Sequence, residues 1–447
     1  MYVCGSKVES MKRLLVTTQL SNFVNGKVDL ACDSGWQMTI NRVREMLRLN
    51  LDLCVDIMCP TADQLVQLPA DVNPDLAELY GEIAVPRLHI IEHPIVTSAL
   101  ITRYDFKWER IAEALDLAPH KADVEQRYDA VYVNDPMQLR AFKAMFHVVG
   151  GYQPKFYVHS HFVDIPEVPK FPAEASLWLG QCEATLKADY NFWQCESAME
   201  QFFTSMGKWF VQDVVDDVRA KSEPWDDGYS IAEITSPIDV NNLRFTEAHW
   251  HAVTQGKTVL FFPNRISPAS GDYTNGMKLM FEQLPRLRQH RQDFVVVCGN
   301  PNLKFSNDVL AERCGPNGYV KLHDFTLNRD EFKFVAAHSH IALGLYNVDP
   351  YGGTAARECV ELGCMPLWLD NFAYSALARK AGIDHWLAKP DFSDFVIRAS
   401  RLIDLFTGDA GDMAYVKEKV ALLQSVVRGQ CSYEATTPTA MRRMGLL

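Results

Sequence analysis

The sequence has no run approaching 18 apolar residues, so no stretch of it reads as a membrane span. Its first short apolar run, 14–16, is too brief for a signal peptide, and the ten residues before Met11 read as a disordered arm or an upstream start. No C-x-x-C pair occurs among the 11 cysteines, which are odd in number and scattered from Cys4 to Cys431. That pattern excludes a disulfide scaffold, and a reducing cytoplasm is the natural compartment, with Cys54 and Cys298 as small buried hydrophobes. Positive charge is also short: 44 Lys+Arg face 56 Asp+Glu, a net charge of −12. A uniformly basic nucleic-acid binder and a polybasic protein held on anionic lipid are therefore disfavoured. Low-complexity segments and short repeats are absent.

What is there is globular. Apolar residues make up 48% and charged residues 22% of 447 positions, enough chain for two or three domains with real cores. Charge is unevenly spread, because residues 1–245 carry 22 Lys+Arg against 35 Asp+Glu while 246–447 carry 22 against 21. All the acidity lies in the first half.

Along that half, short apolar or β-branched runs at 12–20, 51–58, 87–92, 130–133 and 155–159 read as strands. Helical periods at 37–49, 105–115, 136–149 and 175–187 fall among them, and the first follows Asp33-Ser34-Gly35. The second half restarts the alternation, with strands at 257–262, 294–298, 319–322, 340–345 and 365–369 and helices at 273–287, 329–337, 354–362 and 373–381. A turn-rich stretch, 222–244, separates the halves, and a helix closes the chain at 412–427. The expected fold class is α/β: two doubly wound parallel-sheet domains, 1–245 and 246–447. Such sheets bind ligands at the carboxyl ends of their strands, and a ligand between the two is expected.

The most informative run is 347–370, Asn-Val-Asp349-Pro-Tyr-Gly352-Gly353-Thr354 onward. A strand ends near Leu345, a Gly-Gly turn follows and a helix starts at Thr354, so exposed N–H groups and a positive dipole end could cradle a phosphate. Glu358 sits one turn in, where a carboxylate can accept two hydrogen bonds from a vicinal diol, and Glu361 shares its face. The bland alternative is a tight turn followed by surface glutamates. In the first half, His159-Ser-His161 ends a strand with both rings on one face, compatible with a structural role or a metal site lacking a third ligand.

The run around Glu358, Gly363 and Pro366 resembles the conserved segment of retaining glycosyltransferases of the GT-B fold, and more closely the DNA α-glucosyltransferases of T-even bacteriophages. The stretch 257–271, ending in Asn264-Arg265 and Gly271, resembles the family's strand followed by Gly-Arg and Lys-Gly. Segments 187–197 and 236–241 and Leu322-His-Asp-Phe325 resemble further elements in the same serial order. The resemblance implies two Rossmann-like domains facing across a cleft, the first binding acceptor and the second a nucleoside-diphosphate sugar. It implies that Arg265 clamps the diphosphate, that Gly353 and Thr354 present their helix end to it, and that Glu358 grips the ribose. It places His159 or His161 beside the transferred sugar, Ser34-Gly35 where the donor approaches the first domain, and Phe325 near the base. Two departures stand out. Pro350 occupies the position of the family's first Glu, with Asp349 beside it, and Ser270 replaces a Lys for which Lys278 or Lys304 would have to substitute.

With no D-x-D, G-x-G-x-x-G, Walker A, G-x-S-x-G or H-E-x-x-H motif, the expectation is a metal-independent enzyme without a tightly bound cofactor, using the nucleotide sugar as co-substrate. Two acceptors fit: a hydroxymethylated base in phage DNA, extruded from its stack in the host cytoplasm, or a small saccharide. DNA would need a basic stripe, for which Arg42, Arg44 and Arg48, or Arg103, Lys107 and Arg110, are candidates. A non-catalytic nucleotide-sugar-binding module is the rival from another class, and the oligomeric state stays open.

Overall fold

Strands β1 (Lys12–Val16), β2 (Leu53–Pro60), β3 (Leu88–His93), β4 (Ala130–Val133), β5 (Lys155–Ser160), β6 (Tyr190–Trp193) and β7 (Ser222–Pro224) form one parallel sheet in a computed structural model of the chain. The structure describes residues 11–20, 23–24, 27–28, 30, 33–65, 87–97, 104–106, 111–113, 115, 128–149, 151–161, 163, 174–266, 277–301, 319–320, 327–345 and 353–447. The strand order is β7-β6-β5-β4-β1-β2-β3. Leu14, Leu15 and Val16 are each fully buried, as expected of a central parallel strand covered on both faces. Winding reverses between β1 and β4, which pair through Leu14 and Ala130. A crevice for ligands opens at such a reversal.

Helix α1 (Ser34–Leu49) follows β1 and is capped by Asp33, whose carboxylate accepts from the Trp36 amide at 2.8 Å. Helices α2 (Leu139–Val148) and α3 (Glu174–Lys187) come before β6, and α4 (Glu196–Met206) and α5 (Gln212–Ala220) after it.

The second sheet comprises β8 (Thr258–Ile266), β9 (Phe294–Pro301), β10 (Tyr319–Val320), β11 (Ile341–Gly344) and β12 (Met365–Trp368), all parallel, in the order β10-β9-β8-β11-β12. Its reversal lies between β8 and β11. Helices α6 (Glu247–Thr254), α7 (Met277–His290), α8 (Arg329–Ala337), α9 (Thr354–Glu361), α10 (Phe372–Lys380), α11 (Phe395–Thr407) and α12 (Ala410–Cys431) belong to this half, and α13 (Tyr433–Met444) ends the chain.

Four readings of the sequence change. The chain divides at Asp227/Gly228 rather than near 245, and Thr436–Leu447 rejoins the first unit. Residues 229–244 pack on the second unit: Ile234 joins Val360 and Trp368 in one apolar cluster, Lys333 donates to Ser236, and Arg244 pairs with Glu331 at 2.5 Å. The helix expected over 105–115 is met in part: its start pairs as an antiparallel ribbon, Ile95–Thr97 with Tyr104–Phe106, where aromatic residues favour the pleated surface, while 111–113 is helical. The stretch 187–224 supplies two further strands, and the Tyr157 hydroxyl donates to the Met444 carbonyl at 3.1 Å, tying the unexpected last helix to the first core.

Candidate functional site

In the second unit, β8 and β11 flank the reversal, and each carries part of the predicted donor site. Asn264 and Arg265 lie near the end of β8, where the register shifts after Phe262 and Arg265 comes across from Asn300 in the neighbouring strand. From β11 the chain leads to α9, whose cap is Gly353, with φ −62° and no side-chain hydrogen bond to the helix end. The cap residue, a glycine, brings no side chain of its own to this end of positive dipole. The turn is pinned from behind, where the Tyr374 hydroxyl donates to the Gly353 carbonyl at 3.2 Å and stacks on Trp368 with centroids 4.5 Å apart. Trp368 can lie there because position 344 is glycine; a Cβ at 344 would sit 2.3 Å from its indole.

Glu358 stands one turn into α9, as the spacing requires, but it is paired. Its two oxygens take Nη2 and Nη1 of Arg329 at 2.7 and 3.1 Å, and Arg329 also binds Glu233. A carboxylate has about four lone-pair directions, so this fork holds Glu358 in place without saturating it. Glu361 corrects the sequence reading. Rather than sharing a ligand-facing side with Glu358, it is buried, its oxygens taking Nε and Nη2 of Arg428 and the Tyr229 hydroxyl at 3.0 Å. The Tyr229 phenol is accordingly pushed far up, by burial first and by Glu361 second.

In the first unit, His159 and His161 do share a face, as a strand's period demands, and what they share there is Asp227. His159 is fully buried, Nδ1 at 2.9 Å from the Tyr132 hydroxyl and Nε2 at 3.1 Å from Asp227. Both of its ring nitrogens are thus occupied inside the first unit, and of the two histidines expected beside the sugar it is the fully enclosed one. His161, the next residue on that side, bonds through Nδ1 to the other Asp227 oxygen. Arg42 completes the cluster, 2.5 Å from Asp227 and 4.7 Å from the Trp225 ring. Burial, then the Arg42 charge, lower the His159 pKa to about 4, so its ring is neutral. Burial alone would raise the Asp227 carboxyl, but His161, Arg42 and His159 outweigh it and hold it well below the usual range. Among the described residues no group of three His, Cys, Asp or Glu side chains is arranged to hold a metal ion.

Gly35 is also reassigned. A Cβ there would fall 1.9 Å from the Gln19 carbonyl oxygen, so the glycine serves the approach of α1 to the chain after β1 rather than that of a ligand. Ser34 begins α1 and Asp33, not Ser34, caps it. Of the expected basic stripe on α1, Arg42 is buried at 1% exposed, whereas Arg44, bonded to Asn41, is part-buried and the exposed Arg48 is forked onto Glu45 of the same helix. Gly271, Phe325, Asp349, Gly352, Ser270, Lys304, Arg103, Lys107 and Arg110 lie outside the described residues, as do the side chains of Ser34, Asn264, Arg265 and Lys278. Sequence reasoning missed Asp227, Arg329 and Glu233, which no motif marks.

Solved structures resemble the whole chain. Anabaena HepE in complex with UDP and glucose superposes with a TM-score of 0.62 at 12% identity, covering 98% of this chain and 100% of that one. The UDP-forming α,α-trehalose-phosphate synthase of Burkholderia xenovorans, in complex with glucose-6-phosphate, gives 0.62 at 10% identity over 97% and 100%. The N-terminal domain of Candida albicans trehalose-6-phosphate phosphatase gives 0.59 at 13% over 100% and 99%. The fold is GT-B. No protein-family model and no curated protein sequence matches the chain. Identities this low speak for the two Rossmann-like units and not for their chemistry. Among the described residues no helix is long and apolar enough to cross a membrane.

Proposed function

We propose that the protein is a retaining glycosyltransferase that moves a hexose from a nucleoside diphosphate to a hydroxyl acceptor. The observation that carries this reading is the second unit's winding reversal: β8, which ends on the segment with Arg265, pairs with β11, and the chain after β11 opens a helix at Gly353 with its positive dipole end leading and Glu358 held one turn on. HepE was crystallised with UDP-glucose and a trehalose-phosphate synthase is UDP-forming, which supports UDP-glucose as the first donor to test. Arg265 and the backbone donors from Thr354 onward neutralise charge developing on the diphosphate as the sugar C1–O bond breaks. Glu358 accepts from the ribose hydroxyls and fixes the donor's orientation. The acceptor oxygen forms the new bond on the same face, and its proton passes to the departing phosphate oxygen, so no protein nucleophile is required. His161 lies on the sugar side, steadied by Asp227; Asp349, Gly352, Gly271, Asn264 and Phe325 keep their donor-side roles in this reading. Reaction in the cytoplasm, without metal, belongs to it too.

Of the two acceptors, the saccharide is favoured, because Arg42 is buried against Asp227 and Arg48 is neutralised by Glu45, which leaves α1 with Arg44 as its one arginine not paired with a carboxylate among the described residues. A hydroxymethylated DNA duplex remains the alternative raised by resemblance; a gel shift at low salt that shows no complex removes it. The decisive experiment is thermal shift and turnover with UDP-glucose. Donor-dependent stabilisation with donor cleavage supports the enzyme, stabilisation without any cleavage supports a non-catalytic sugar-nucleotide module, and no stabilisation by any nucleotide sugar overturns both.

A further inference from the structure

Four polar side chains at the carboxyl edge of the first sheet are buried with atoms that no hydrogen bond reaches. Gln19, after β1, is 3% exposed and lacks partners at both Nε2 and Oε1; Gln138, in the turn after β4, is 5% exposed and lacks both as well. Ser160, the last residue of β5, is fully buried with Oγ unmatched, and Gln194, directly after β6, is 7% exposed with Oε1 unmatched. Ser160 and Gln194 close β5 and β6, Gln138 and Gln19 lie in the chain leaving β4 and β1, and these four strands are consecutive in the order β6-β5-β4-β1; backbone bonds stitch part of the edge together, Gln194 N to Ser160 O at 3.3 Å and Asp227 N to Gln194 O at 3.1 Å. Gln19 and Gln138 stand on either side of the winding reversal. Buried amides without partners are rare and costly, and a row of them at one sheet edge is a row of unmet demands.

The chemistry of those demands identifies what meets them. Each glutamine amide offers a donor and an acceptor side by side, and the serine hydroxyl offers both on one atom. An anion would satisfy the N–H groups and be repelled by the amide oxygens; a cation would do the reverse. Hydroxyl groups, which donate and accept, satisfy both. The buried charges of this edge point the same way, since Asp33, Asp135 and Asp227 stand there against Arg42, which is bound to Asp227. We propose that Gln19, Gln138, Ser160 and Gln194 form a binding site for a neutral polyhydroxylated ligand, an unphosphorylated saccharide, whose hydroxyls take up these amides as the side chains turn to it. Under the proposed function, on which its role rests, that ligand is the acceptor.

Isothermal titration of the full chain with maltose, glucose 6-phosphate and a duplex carrying hydroxymethylcytosine tests this, with UDP-glucose titrated separately. Maltose is expected to bind at least tenfold more tightly than either charged probe. Gln138→Leu, and as a second variant Gln19→Met, should weaken maltose tenfold or more while thermal stability holds or rises, because each removes an unmatched amide at similar volume. Absence of maltose binding, tighter binding of glucose 6-phosphate or the duplex, or unchanged maltose affinity in a folded variant overturns the proposal. Maltose binding without UDP-glucose binding would overturn the glycosyltransferase reading and leave this site standing; UDP-glucose binding without maltose binding would do the opposite.

Discussion

Arg42 reaches from the middle of α1 to Asp227, its Nη2 2.5 Å from the carboxylate and both side chains about fully buried. The pair also receives two imidazoles, so a single buried carboxylate organises the residues below the end of β5. Asp227→Asn leaves Arg42 buried without a counter-charge and should cost about 3–5 kcal/mol. A double-mutant cycle with Arg42→Met, read by urea denaturation, is expected to show coupling above about 1 kcal/mol; additive losses would mean that the pair is not a unit.

Acid should loosen the first unit well before the carboxylates titrate. His159 and His93 are both lowered from 6.5 to about 4, burial being the largest cause in each. Between pH 6.5 and 4 the unfolded chain therefore binds more protons than the folded one, and stability falls as pH falls. The stabilisation is complete above 6.5 and is lost on the way down to 4, on the order of 3 kcal/mol for each ring. Urea midpoints at pH 7 and pH 5 check this, and His159→Gln should flatten the slope. Equal stability at the two pH values would contradict it.

Much of the architecture was legible because burial on both faces writes parallel strands as plain apolar runs: Leu14–Val16, Val295–Val297 and Ile341–Leu343 could hardly be anything else. The boundary was not, because turn-rich composition marks where the chain bends and not which core it joins; Ile234 and Arg244 settle that through partners more than a hundred and about ninety residues away. At the site, spacing gave the position of Glu358 and the helix end before it. It could not give the partners. Glu358 and Glu361 look alike in sequence, three apart on one helix, and only the structure shows that the first is forked onto Arg329 and the second enclosed by Arg428 and Tyr229.

Gly35→Ala tests a packing role. With a Cβ 1.9 Å from the Gln19 carbonyl, α1 must shift at its first turn, at a cost of about 1–3 kcal/mol. Chemical denaturation is expected to register that loss even without ligand. Unchanged stability together with weakened donor binding would return the glycine to the ligand-facing role that the resemblance implies.

The two α9 glutamates should part company when each loses its charge. Glu361→Gln removes the counter-ion of Arg428 and one of the two oxygens that it shares with Tyr229 at a buried position, leaving either the phenol or part of the guanidinium unmatched. It should lower stability by about 1–3 kcal/mol and leave the affinity of the folded protein for UDP-glucose within about twofold. Glu358→Gln keeps one carbonyl acceptor beside an Arg329 that still has Glu233, so stability should fall by about 1 kcal/mol or less. UDP-glucose affinity should nevertheless drop by about tenfold, the value of a charge-assisted bond to the ribose. Titration calorimetry and urea melts on both variants read the two quantities separately. If Glu361→Gln loses the donor and Glu358→Gln does not, the ribose contact belongs to neither the spacing nor the geometry argued for it, and the donor site must be sought elsewhere along the second sheet's edge.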